Sequence, residues 1–215
     1  YKATYTYYLN TTLGIYVYFC TYVFINVYYL FILVHVFIAN AKSDSNVSRT
    51  FKKLQLVPNV IPTAPQNKLT VIYGEDSEVE LGNSFEITDT LSPPKVTWDG
   101  DEDSLYTLIM TGPDVPFPQQ PRPSQILHWL IGNIEGNDLD SGDVIAPYLQ
   151  PLPPPTSDPL RYTLLVYKQN DVENFTELST LKRKGFKIAD FAEKHNLDGP
   201  VFGNFFLAST VKAIF

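Results

Sequence analysis

The sequence predicts a mainly β fold, a β-rich α+β domain organised on a large antiparallel sheet. Three observations carry this. Short β-branched and aromatic runs recur along the body, each closed by Gly, Asp, Asn or Pro in turn positions. Helical periodicity is confined to short stretches. Long proline-rich connections join the most apolar runs, an arrangement of layered sheet rather than of a helical bundle.

The elements follow in order. Residues 42–50, "KSDSNVSRT", read as a flexible polar tail. "FKKLQLVPNVIP" predicts one or two helical turns ending before Pro58, because the residue before proline avoids the helical region. "KLTVIYG" (68–74), "SEVELGN" (77–83), "FEITDTL" (85–91) and "PPKVTWDGDED" (93–103) are short strand-like runs. "LYTLIM" (105–110), "ILHWLIGNI" (126–134) and "RYTLLVYKQ" (161–169) are more apolar. The last two lack clean alternation, as central strands covered on both faces do. Glu135–Pro159 is a long connection, and connections of this length usually carry function or lack order. "FKIADFAEKHNL" (186–197) spaces its apolar residues near 3.6 and predicts a short helix; "GPVFGNFFLAST" (199–210) predicts a final strand.

Composition bounds what this domain does. The chain has 215 residues, 44% hydrophobic and 18% charged, with net charge −7. Residues 1–41 hold one charged residue, Lys2, and nine of the 14 tyrosines. Leu13–Ala39 is apolar enough and long enough to span a bilayer, and it ends in the small-x-small pattern Ala39-Asn40-Ala41 before Lys42. This predicts a signal peptide cleaved after Ala41 and a secreted protein; left uncleaved, the run would be a membrane anchor. Residues 51–215 then form a single domain. Sequons at Asn46 and Asn174 fit a secreted glycoprotein. The acidic body is a poor partner for nucleic acid, which needs clustered cations. Its one basic cluster, "LKRKGFK" (181–187), reads as a solvated loop.

The sequence contains no GxGxxG, Walker loop, HExxH, GxSxG or CxxC motif, and its single cysteine, Cys20, lies in the leader. No cofactor, metal or catalytic residue is predicted. Of three histidines, His35 is in the leader and His195 reads as a surface residue at the end of the short helix. His128 is different. It interrupts an apolar run that follows "GPDVPFPQQPRP" (112–123), a loop stiffened by prolines. Two readings stand: a satisfied core histidine, or part of a site. If the three apolar runs are neighbours in one sheet, Asp114, His128 and Tyr162 converge at one edge. An imidazole, a phenol and backbone amides there suit an anionic headgroup, and they do not make a nucleophile with its base.

The motifs "LYTLIMTGPDVP", "HWLIGNI", "GNDLDSGDVIAPY", "LRYTLLVYKQ" and "FKIADFAEKHNLDGPVFGNFFLA" resemble the phosphatidylethanolamine-binding protein (Raf kinase inhibitor protein) family over about residues 51–208. The resemblance implies a large antiparallel sheet, a smaller second sheet, a few short helices, and a small anion pocket at the sheet edge. It implies a non-enzymatic, monomeric protein that binds a small lipid or phosphate-bearing headgroup, for which contact with a membrane surface is in keeping. The alternative it implies is an inhibitor of a serine protease or of a kinase pathway, acting through surface loops.

Carried over position by position, the implied ligand-binding residues are Asp114, Val115, Pro116, His128, Trp129, Pro153, Pro154 and Tyr162. Four pocket positions depart from the family pattern, and a neighbouring pair does too. Gly112 stands where the pattern has an acid, and Leu160 where it has a histidine. Gln150 and Leu152 stand where it has glycines, whose absent side chains let amides approach a phosphate. Phe117 and Pro118 replace its Ser-Arg pair. These changes predict a partly degraded anion site, smaller and greasier than the pattern. The family usually continues after "FFLAS" into a final helix; here "TVKAIF" ends the sequence, and a domain without that helix is expected.

Overall fold

The computed structural model describes residues 45–115, 124–154, 158–176 and 182–210. The leader with its cleavage point, the loop from Pro116 to Pro123 and the end from Val211 lie outside them. In chain order the elements are helix α1 (Asn46–Lys53), strands β1 (Asn67–Lys68), β2 (Thr70–Tyr73), β3 (Ser77–Glu78), β4 (Ser84–Glu86), β5 (Lys95–Thr97), β6 (Leu105–Val115), β7 (Ser124–Glu135), β8 (Asp143–Ala146) and β9 (Leu160–Lys168), helix α2 (Ile188–Lys194) and β10 (Asp198–Ser209).

The three most apolar runs are neighbours. A 7-stranded sheet runs in the order β1-β10-β9-β6-β7-β8, and a 3-stranded sheet in the order β3-β2-β5. Strands β10, β9, β6, β7 and β8 pair antiparallel, as expected. The large sheet is nonetheless mixed. β1 and β4 pair one after the other along the outer edge of β10, both parallel to it. Edge pieces this short leave no alternation to read in the sequence.

Both faces of the large sheet are covered, which is why β9 has no polar side. Leu160, Tyr162, Leu164 and Val166 face a core shared with Val71, Tyr73 and Trp98 of the small-sheet side. Leu165 and Tyr167 face a second core with Phe51, Leu56, Ile188 and Ala192. Full burial of one such side chain contributes roughly 1.5–3 kcal/mol.

Residues 46–50 are not a tail. They form the first turns of α1, where the Ser45 hydroxyl accepts the Ser48 amide at 3.1 Å. Val47 and Phe51, four apart, face inward, and Phe51 meets the Phe205 ring edge-on at 5.1 Å. The surrounding residues are polar, so it is this tertiary contact that fixes the helix. Two expected strands are shorter than read. After β4 the chain enters a 3₁₀ turn at Ile87–Thr90, with the Asp89 carboxylate accepting the Glu86 amide. After β3 it turns at Leu81 and Gly82, both at positive φ. The long connection Glu135–Pro159 holds one unexpected strand, β8.

Candidate functional site

The pairing of β6 with β7 slips by one residue at His128. Met110 faces Trp129 and Thr111 faces Leu127, so His128 is the extra residue of a β-bulge. The bulge reverses the phase of β7: Leu127 packs on the helix side and Trp129 on the small-sheet side. His128 itself is 4% exposed. Its carbonyl accepts the Leu149 amide at 2.7 Å and the Arg183 Nη1 at 3.0 Å.

The imidazole is held in a defined state. Nδ1 lies 2.8 Å from the Leu149 carbonyl. A carbonyl only accepts, so Nδ1 carries the proton in the neutral ring. Burial pushes the His128 pKa down to about 4; the Leu149 carbonyl opposes this, and the Arg183 guanidinium adds to it. The ring is therefore uncharged at neutral pH. Its Nε2 looks toward Gly112, where a Cβ would sit 3.2 Å from Nε2 and 3.2 Å from Cε1 of Tyr162. Gly112, His128 and Tyr162 thus meet at one point, packed so closely that a side chain at 112 would press on both rings.

Tyr162 meets His128 edge-on, with ring centroids 5.1 Å apart, and stacks on Phe206 at 5.4 Å. Burial, then the nearby Asp114 carboxylate, raises its phenol well above the ordinary tyrosine value, so it remains a donor. Asp114 is buried and already committed. Its Oδ2 accepts the Arg161 amide at 3.0 Å and Arg161 Nε at 2.8 Å, and its Oδ1 accepts Arg161 Nη2. This bidentate pair ties the end of β6 to the start of β9.

The other anticipated positions fall in different places. Val115 ends β6, and Pro116 lies outside the described residues. Trp129 packs edge-on against Tyr148 at 5.7 Å, and Tyr148 Oη donates to the Thr90 carbonyl at 2.8 Å. Leu160 is buried in the same apolar core as Tyr162. Pro153 is buried, Gln150 and Pro154 are half-buried, and Leu152 is 60% exposed. Asn46 and Asn174 are both exposed. Among the described residues no group of three or more His, Cys, Asp or Glu side chains is placed to hold a metal ion.

Sequence reasoning missed Arg183. The basic cluster is not uniformly solvated: Lys182 and Lys184 are exposed, but Arg183 is 6% exposed and clamps the His128 carbonyl. Residues 183–185 run along the free edge of β7, with Leu127 N bonding Arg183 O and Gly185 N bonding Gln125 O at 3.0 Å each. The chain bends at this edge, and the middle member of Lys-Arg-Lys turns inward to the His128 carbonyl. The sequence offers no signal for the edge it pairs with.

This meeting point brings together a neutral imidazole and a protonated phenol, beside a carboxylate paired with arginine.

Comparison with known proteins gives the chain its relatives. Residues 62–206 match the family model described as phosphatidylethanolamine-binding protein. The chain is 34% identical over 178 residues to Putative odorant-binding protein A5 of Drosophila melanogaster, covering 79% of this chain and 85% of that protein. It is 33% identical over 156 residues to a 26 kDa secreted antigen of Toxocara canis, covering 70% of this chain and 60% of that one. Among solved structures, a carboxypeptidase Y inhibitor complexed with its cognate proteinase shares the fold, with a TM-score of 0.68 at 24% identity, covering 80% of this chain and 99% of that one.

Proposed function

The chain belongs to the phosphatidylethanolamine-binding protein family, and from that premise we propose that it binds a small lipid or other amphiphile, without catalysis, at the point where Gly112, His128 and Tyr162 meet. The observation that carries this reading is the meeting of those three residues beside an Asp114 that Arg161 already neutralises. A ligand there finds a hydrogen-bonding imidazole and phenol.

The altered positions set the ligand's character. An acid is missing at Gly112 and an imidazole at Leu160, and each lost charge-assisted hydrogen bond is worth about 1.5–3 kcal/mol. The bare phosphate headgroup is then held weakly, and the apolar part of the ligand supplies most of the affinity. Calorimetric titration tests this with phosphoethanolamine and a short-chain lysophosphatidylethanolamine. The tailed ligand is expected to bind at least about tenfold tighter than the headgroup alone, a difference of about 1.4 kcal/mol. Gly112→Asp is expected to strengthen the headgroup, with the rings of His128 and Tyr162 yielding slightly to the new Cβ. Equal affinity for both ligands, or no binding of either, would sink the reading.

The second reading, inhibition of a protease, has the support of one fold relative whose identity to this chain is 24%. Under it, His128→Ala leaves inhibition intact in a protease panel. Export from the cell has the support of the secreted antigen among the relatives and of exposed sequons at Asn46 and Asn174.

A further inference from the structure

A cavity of about 320 Å³ opens between residues 174–176 and α2, and Gly112, His128 and Tyr162 are not among its lining residues. Its floor is aromatic. Phe175 and Phe191 lie nearly parallel, with centroids 5.9 Å apart, and His195 packs within 4.9 Å of the first and 4.5 Å of the second. Phe186 extends the floor beside Phe191 at 5.4 Å. Its rim is cationic: Lys182, Lys187 and Lys194 stand there against one acid, Asp190. Asp190 pairs with Lys187 at 3.5 Å. Among the described residues no acid pairs with Lys182 or Lys194.

This cavity is held in shape. The Phe175 ring lies directly on Gly132, where a Cβ would come within 2.2 Å of it. Asn133 pins the loop behind Phe175, with Nδ2 donating to the Glu173 carbonyl and Oδ1 accepting the Glu173 amide, each at 2.9 Å. Gln169 holds Asn133 in turn, donating to its Oδ1 at 2.8 Å. Glu173 also fixes His195 through Nδ1 at 3.1 Å. A preformed apolar floor binds at low ordering cost.

The charge of the rim runs against that of the molecule, which carries −7 overall. A local reversal of this kind draws anions. We propose that the cavity is a second ligand site, for an amphipathic anion whose aromatic or acyl body lies on the Phe175–Phe191–His195 floor and whose carboxylate, sulfonate or phosphate meets Lys182 and Lys194. Exposed charge pairs are individually weak, so the floor supplies most of the affinity and the lysines select the sign.

The test is a fluorescence titration of the full chain with anilinonaphthalene sulfonate, followed by competition with decanoate and with decyltrimethylammonium, which carry the same tail and opposite charges. Decanoate is expected to displace the probe, and the cation is not. A Lys182→Gln, Lys194→Gln variant, altered only at exposed positions, is expected to lose about tenfold in decanoate affinity with an unchanged urea midpoint. Amide shifts on adding decanoate are expected to centre on Phe175 and His195. Equal competition by the two amphiphiles, no probe binding, or shifts centred on His128 would each overturn the proposal.

Discussion

At His128 the β-bulge buries an uncharged imidazole, with Nδ1 on the Leu149 carbonyl and Nε2 turned to Gly112. This has a consequence for stability. The folded-state pKa of about 4 lies below the ordinary value of 6.5. Between those values the unfolded chain takes up a proton that the folded chain refuses, so stability rises with pH across the window. The contribution is fully present above about pH 6.5 and is lost as pH falls toward 4, a span worth about 3 kcal/mol. Urea midpoints measured across this range should therefore drop on acidification, and His128→Gln should flatten the drop. A slope that survives that substitution would place the titration elsewhere. The ring's identity was legible in the sequence as a lone histidine in an apolar run. Its state was not, because the partners that set it, Leu149 and Arg183, come from segments that carry no motif of their own.

Among the elements, β7 is where most of this is decided. Its outer edge is shared by β8, by Leu149 and by residues 183–185, so three separate segments complete one strand's hydrogen bonds. The prolonged apolar run of β7 announced a central strand. Nothing announced β8, four residues within a stretch full of turn formers, or the inward turn of Arg183. Further along β7, Gly132 carries the Phe175 ring on its backbone. Gly132→Val forces that ring away, and overpacking of this kind costs typically about 1–3 kcal/mol. The expected outcome is a lower thermal midpoint with loss of amide protection at Glu173–Phe175. Unchanged protection there would show that the ring does not fix the loop.

Over the whole domain, the two-sided burial of β7 and β9 was readable from the absence of alternation, and the family's motifs implied a large sheet with a smaller one against it. The mixed character of the sheet was not readable, since β1 and β4 are too short to carry a period. The helix at Asn46–Lys53 was read five residues late, because only Val47 and Phe51 mark its inner face and both depend on a distant partner. The positions altered from the family pattern, Gly112, Gln150, Leu152 and Leu160, were visible as residue types. Their geometry was not: Leu152 is exposed, while Leu160 is sealed into the core beside Tyr162. On the proposed reading they leave a site with an imidazole and a phenol but without the acid and second imidazole of the family pattern. The most direct test follows the His128 ring nitrogens by nuclear magnetic resonance while short-chain lysophosphatidylethanolamine is added to the full chain. A saturating shift of Nε2, with Nδ1 still protonated, is the result predicted for a ligand seated where Gly112, His128 and Tyr162 meet. Saturable lipid binding that leaves Nε2 unmoved would contradict it.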